Sequence, residues 1–324
     1  MRKWIKISVW TLLLAAGITV CLIRWQAWFG MPDEPRWTGD TISYSFRLPV
    51  TDNPSPVTDN PSPLTILILG DIHSQLRQAD YDTLAARVPE ADVVAQVGDW
   101  MERGQNYYRL LLLREWAPSQ LSQLPVITCP GNHDYSKGLR KTLSPVWEET
   151  FLPVTGNPSP VTRLTTVPGA TYYIDFPQLR FIALDTNPLD HLVHLTRTLT
   201  WLRQAINTAD GRFVVVMMHH PIFSAAKGRF NLPIYAALRH ALGDVDLVIS
   251  GHDHLYQRSK NSFVVLNTSG RPKQPQTLLP VDNASDQPAY GVLKIDQSPI
   301  SNLTFTVHRL SDGAVIDSLY VKHD

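Results

Sequence analysis

Five short strings in this chain carry side chains that bind metal ions: Gly70-Asp71-Ile72-His73, Gly98-Asp99-Trp100, Gly131-Asn132-His133-Asp134, His219-His220-Pro221 and Gly251-His252-Asp253-His254. Carboxylate, amide and imidazole donors without thiolate suit a pair of divalent or trivalent first-row ions. A carboxylate shared by two such ions holds them roughly 3.5–4 Å apart, the spacing used for in-line attack on phosphorus. Each string alone has a blander reading. Gly-Asp after a strand is a common tight turn, and histidine pairs also occur on surfaces. It is the joint occurrence of all five, each at the end of an apolar run, that points to a two-metal site.

Those runs have the length and composition of β-strands, and the strands of an open α/β sheet deliver whatever follows them to one edge. Leu64–Gly70, Ala91–Val97 and Val126–Cys129 are predicted strands, with helices over Ala79–Val88 and Gln105–Trp116 between them. Thr171–Phe176 and Leu179–Asp185 form a predicted hairpin turning at Pro177-Gln178, and an amphipathic helix follows near Thr198–Ile206. Phe213–Met218 and Val245–Ser250 are strands that lead into histidines. The remaining strands are Ser262–Leu266, Gly291–Ile295, Leu303–Leu310 and Val315–Val321. The expected fold class is α/β, a four-layer α/β/β/α sandwich of two mixed β-sheets flanked by helices.

The order and content of the five strings resemble the calcineurin-like metallophosphoesterase superfamily. That resemblance implies one metal ion on Asp71, His73, Asp99 and His254, and a second on Asp99, Asn132, His219 and His252, with Asp99 bridging. It also implies that His133 donates a proton to the leaving oxygen or contacts phosphate, work suited to a group titrating near neutrality. The small purple acid phosphatases look nearest, but they place a ligand tyrosine where this chain has Glu102. The string Gly98-Asp99-Trp100-Met101-Glu102-Arg103-Gly104 instead resembles the serine/threonine protein phosphatases, which implies Glu102 as an orienter of His133 and Arg103 as a bidentate phosphate clamp. His220 is a further candidate phosphate contact, and Asp134 a candidate partner for a neighbouring histidine.

With 29 Lys+Arg against 29 Asp+Glu, the chain shows no bulk attraction for nucleic acid. Of its 2 cysteines, Cys21 lies in an apolar N-terminal run and Cys129 just before the third string, so neither predicts a disulfide. Ile7 to Ile23 carries no formal charge and is flanked by Arg2, Lys3, Lys6 and Arg24, with Trp25, Trp28 and Phe29 beyond. This reaches the lower limit of about 17 residues for a membrane span. No convincing signal-peptidase site follows it, so residues 1–30 are expected to be an uncleaved anchor with the domain on the extracytoplasmic side. Residues 31–63 form a Pro-rich linker holding two copies of Val-Thr-Asp-Asn-Pro-Ser-Pro, from Val50 and from Val57; a near copy begins at Val154. These are expected to be exposed loops, because proline denies them a hydrogen-bond ladder. The catalytic domain would then run over 64–324.

Together these readings predict a membrane-anchored di-metal phosphomonoesterase using iron, manganese or zinc. Its substrate would be a small-molecule or lipid phosphoester, attacked by a metal-bridging hydroxide with His133 as general acid. A phosphodiesterase for nucleotides or lipid-linked esters is the alternative, and a catalytically silent metal-bound binding module the third reading.

Overall fold

The computed structural model describes residues 63–102, 112–135, 143–144, 147, 151, 162–163, 170–190, 192–224, 226, 233–260, 262–273, 281–296 and 302–322. The candidate membrane span, all but the last residue of the linker heptapeptides, the third copy from Val154, and Arg103 lie outside the described residues. Among the described residues no helix is long and apolar enough to cross a membrane.

Strand β1, Leu64–Leu69, pairs in parallel with β2, Val93–Gln96, and β2 with β3, Val126–Thr128. Helix α1, Gln78–Arg87, makes the first crossover. Its start is fixed by the Asp80 carboxylate, which accepts the Arg77 amide at 2.8 Å, and by Glu115, which accepts the Gln78 amide at 3.1 Å. It stops at Val88 because Pro89 follows. The predicted second helix is seen only as its end, a π-helical turn over Leu112–Trp116 that buries Trp116.

A second run begins with β4, Thr162–Arg163, and the hairpin of β5, Tyr172–Asp175, and β6, Leu179–Leu184. Then come α2 (Leu192–Asn207), β7 (Phe213–Met218), α3 (Pro233–Leu242) and β8 (Leu247–Ser250). Strands β9 (Tyr256–Ser259), β10 (Phe263–Val265) and β11 (Asn283–Ser285) complete this part of the chain. The last three strands, β12 (Ala289–Ile295), β13 (Asn302–Arg309) and β14 (Val315–Lys322), form an antiparallel meander.

These strands make two mixed sheets. The first has six strands in the order β14-β13-β12-β1-β2-β3; the second has eight in the order β11-β9-β10-β8-β7-β6-β5-β4. The alternation within the second sheet shows what each face covers. Phe181, Ala183, Val215, Met217, Leu247 and Ile249 face the first sheet, while Ile182, Leu184, Val214, Val216, Met218 and Val248 pack on Leu202 and Ala205 of α2 and Leu238 and Leu242 of α3. Tyr81 and Leu84 of α1 join the core of the first sheet. The layers are therefore helix, sheet, sheet, helix, as expected. Burial on both faces explains why β7 reads as an unbroken apolar run, and β1 and β6 as apolar runs broken only by Thr65 and Arg180, each full side-chain burial being worth roughly 1.5–3 kcal/mol.

A polar clamp joins the sheets at one side. Asp317 on β14 accepts the Tyr256 hydroxyl at 2.5 Å and the Arg258 Nε at 2.7 Å, both from β9. Replacing Asp317 with Ala leaves these donors without their charged acceptor. We expect a loss of roughly 1.5–3 kcal/mol, read as a lower urea midpoint at unchanged slope.

Candidate metal centre

The ends of β1, β2, β3, β7 and β8 meet at the seam of the two sheets, and backbone bonds lock them there. The amides of Ile72 and His73 donate to the Asp99 carbonyl at 3.1 and 3.0 Å, and those of Ser269 and Gly270 donate to the Asp71 carbonyl at 2.9 and 3.1 Å. Four candidate ligands sit in the left-handed region: His73 at φ 47°, Asp99 at 54°, His252 at 70° and His254 at 55°. Such conformations cost of order 1–3 kcal/mol each and persist only where the surroundings impose them. The glycines in the strings are set by crowding. Gly98 has φ 93°, and a Cβ on it would collide with the Gly131 backbone; a Cβ on Gly131 would collide with Asp99.

All seven candidate ligands come together. His73 Nε2 lies 2.9 Å from His254 Nε2, 3.8 Å from Asp71 Oδ1 and 3.5 Å from Asp99 Oδ2. On the other side His219 Nε2 lies 3.3 Å from the same Asp99 Oδ2, 3.1 Å from Asn132 Oδ1 and 3.3 Å from His252 Nδ1. One oxygen of Asp99 thus stands between the two groups, while its Oδ1 accepts the His133 amide at 2.8 Å. Asp71 accepts the His252 amide at 2.8 and 3.0 Å. Two rings are oriented by carbonyls: His219 Nδ1 donates to Val97 at 3.0 Å and His254 Nδ1 to Arg271 at 3.1 Å. With that tautomer the Nε2 lone pair of each points inward, the arrangement a metal requires.

The electrostatics show how much positive charge the site demands. Burial, with Asp99 adding and His219 opposing, pushes the Asp71 carboxyl up to about 7. Burial alone would also raise Asp99, yet His219, His133 and His73 hold it well below the usual carboxylate range. Burial would lower His219, but Asp99 and Asp71 outweigh it and raise the imidazole to about 9. A proton on His219 Nε2 then sits among Asp99 Oδ2 and Asn132 Oδ1, where a cation would sit. Burial lowers His73 to about 3, and burial with Lys273 lowers His254 to about 4.

Three expectations need correction or completion. The group that orients His133 is the Glu102 backbone carbonyl, which accepts His133 Nδ1 at 2.6 Å. A carboxylate role for Glu102 toward that nitrogen is therefore displaced by its own main chain. Among the described residues Asp134 pairs with amides and not with a histidine, its Oδ2 accepting Gly131 at 2.8 Å and Asp99 at 2.9 Å. Burial, reinforced by Asp99, raises it to about 8. The sequence reading also missed Asp185-Thr186-Asn187 at the end of β6. Asp185 accepts the Tyr135 hydroxyl, and Asn187 Nδ2 donates to the Pro130 carbonyl at 3.0 Å, so this segment holds the Gly131–Asp134 loop from behind. His220 stands at the mouth, its ring 4.6 Å from His252 and its Nδ1 2.7 Å from Thr186 Oγ1.

Fold and donor set together define a two-sheet sandwich with a candidate metal centre at its seam. The chain belongs to the calcineurin-like phosphoesterases, whose family profile matches residues 64–256. No curated protein matches it by sequence. Among solved structures it is similar to the purple acid phosphatase PPD1 of yellow lupin seeds, with TM-score 0.63, 17% identity, and 83% of this chain but 55% of that chain covered. It is also similar to GAP50 of Plasmodium, described as the anchor in the inner membrane complex, with TM-score 0.58, 16% identity, and coverage of 82% and 90%. At these identities the likeness is one of fold, and the chain spans only about half of the lupin protein.

The shifted groups predict how stability depends on pH once metal is chelated. A group raised in the folded state holds a proton that the unfolded chain has already lost, so its stabilisation fades as pH rises. This window runs from 3.8 to about 7 for Asp71, from 3.8 to about 8 for Asp134, and from 6.5 to about 9 for His219. His73 and His254 act in the opposite sense, but only below 6.5. Between pH 6.5 and 9 the melting temperature of EDTA-treated protein should therefore fall. Added manganese or zinc should raise it more at pH 9 than at 6.5, because metal replaces the site protons. A flat or rising profile in EDTA would contradict this charge distribution.

Proposed function

We propose that this protein is a membrane-anchored phosphomonoesterase with two metal ions, one held by Asp71, His73, Asp99 and His254, the other by Asp99, Asn132, His219 and His252. The observation that carries the reading is the position of Asp99 Oδ2, within 3.5 Å of His73 Nε2 and 3.3 Å of His219 Nε2. The donor set fits such ions: it is made of oxygen and imidazole, and inward lone pairs face two buried carboxylates. When bound, iron, manganese or zinc would supply an acidified water and positive charge opposite the phosphoryl oxygens.

The remaining work falls to the chain. His133 donates its Nδ1–H to the Glu102 carbonyl, which leaves Nε2 as the nitrogen that would carry and release a catalytic proton. The ring is half-buried, stands edge-on 4.8 Å from His73, and is the proposed donor to the leaving oxygen. Asp71, Asp99, His73 and His219 are buried, whereas Asn132, His133, His220, His252 and His254 are half-buried, so substrate approaches from the imidazole side. Arg103, outside the described residues, is the proposed phosphate clamp. The anchor rests on the uncharged run from Ile7 to Ile23 and its basic flank, which place the domain on the extracytoplasmic side.

The test uses p-nitrophenyl phosphate and bis-p-nitrophenyl phosphate with manganese, iron or zinc. We expect faster turnover of the monoester. Preference for the diester would move the substrate class, and silence on both with metal bound would favour a binding module. Asp99→Asn should lose at least one metal and nearly all activity while keeping its fold. His133→Ala should keep both metals and lose roughly 10²–10⁴ in kcat, less for substrates with good leaving groups. Loss of metal in His133→Ala would break the division between ligand and acid.

Deleting residues 1–30 should move the protein from the membrane pellet to the supernatant with its activity retained. Recovery of the full chain in the supernatant would remove the anchor from the proposal.

A further inference from the structure

By distance alone His220 is a third imidazole for the second metal. Its ring lies 5.0 Å from His219 and 4.6 Å from His252, and the nitrogen donors of the three lie within 4.8 Å of one another. What sets it apart is Thr186, 5% exposed at the end of β6. Thr186 Oγ1 lies 3.3 Å from the His220 backbone nitrogen and 2.7 Å from its Nδ1. An amide N–H only donates, so it takes one lone pair of the hydroxyl oxygen. Among the described residues the hydroxyl hydrogen then has one acceptor, Nδ1 of the same histidine. A neutral imidazole that accepts at Nδ1 carries its proton on Nε2, where no lone pair remains for a metal. His219 and His254 are the reverse case: each donates Nδ1–H to a carbonyl and turns an Nε2 lone pair inward.

We propose that Thr186 is a positioning residue that keeps His220 out of metal coordination and presents its Nε2–H as a hydrogen-bond donor to a phosphoryl oxygen of the substrate. The proposal rests on the phosphoesterase reading and extends it to the end of a sixth strand. The platform under Thr186 is rigid. Asp185 Oδ1 accepts the Asn187 amide at 2.9 Å and its Nδ2 at 3.0 Å, and the Asp185 amide donates to Thr171 Oγ1 at 3.1 Å. Through Tyr135 and Pro130 the same segment grips the loop bearing His133. One strand end therefore positions the groups on both sides of the mouth, the proposed proton donor to the leaving oxygen and the proposed phosphoryl contact.

The experiment uses the full chain in detergent with manganese, comparing wild type, Thr186→Val, Thr186→Ser, His220→Ala and the Thr186→Val/His220→Ala double variant. Metal per chain, kcat, KM for p-nitrophenyl phosphate and the inhibition constant of orthophosphate are measured. His220→Ala should keep both metals and weaken orthophosphate inhibition by roughly 10- to 100-fold, the range for a hydrogen bond to a charged group. Thr186→Val should move the same constants in the same direction, and Thr186→Ser should stay within about threefold of wild type. The double variant should be no worse than His220→Ala alone, since the hydroxyl acts only through the ring. Metal loss in His220→Ala, an unchanged orthophosphate constant in folded Thr186→Val, or additive losses in the double variant would overturn the proposal. If Thr186→Val does not fold, nitrogen NMR of histidine-labelled wild type decides: a proton on Nε2 of His220 supports it and a proton on Nδ1 ends it. Wild type that binds metal yet hydrolyses neither ester would defeat the phosphoesterase reading, whereas the NMR result tests the tautomer independently.

Discussion

Asp71 and Asp99 bring two carboxylates, 0% and 1% exposed, to the seam between the sheets, and the local architecture answers the question of what balances them. An unpaired ion in such a place costs several kcal/mol. Amides supply part of the answer, from His252 to Asp71 and from His133 to Asp99, but an amide dipole does not cancel a full charge. The rest has to be a cation or a proton. The raised His219 imidazole expresses this demand on the base side, and the raised Asp71 carboxyl expresses it on the acid side. A cation held here would therefore be linked directly to conformational stability.

Because those charges sit where five strand ends converge, the loops that follow have little freedom. Gly98 and Gly131 are pressed against each other across β2 and β3, with the Asp99 carboxylate between their backbones and the rest of the site. The left-handed residues His73, Asp99, His252 and His254 turn the chain sharply so that side chains leaving different strands point at one volume. Local strain is sustained here by the bonds to the Asp71 and Asp99 carbonyls.

Much of this was legible in the sequence for a simple reason. Strands buried on both faces are largely apolar, so β1, β6, β7 and β8 stand out, and the ligand-type residues directly after them are conspicuous. What stayed hidden was encoded in less distinctive residues. Asp185-Thr186-Asn187 is ordinary turn chemistry by composition, and only the fold places it behind both His133 and His220. Helix α3 and strand β9 were missed, the second because it begins two residues after His254, directly behind what reads as the closing metal string. The contact of Glu102 with His133 is made by a backbone atom that every residue type carries, so no side-chain pattern could announce it.

The order of strands in the first sheet gives the centre a history in time. Strand β1, which carries Asp71 and His73 at its end, lies between β2 and β12, and its Leu64 pairs with Ile295. The chain that supplies the first ligands is made long before the strand that fixes their position. Closing that gap costs entropy before any native contact repays it, which makes assembly of such a sheet intrinsically slow. Until β12 arrives, β1 presents an open edge ready to pair with any passing strand. The candidate metal pocket thus depends on a long-range strand pairing that cannot form until the C-terminal strands have been made.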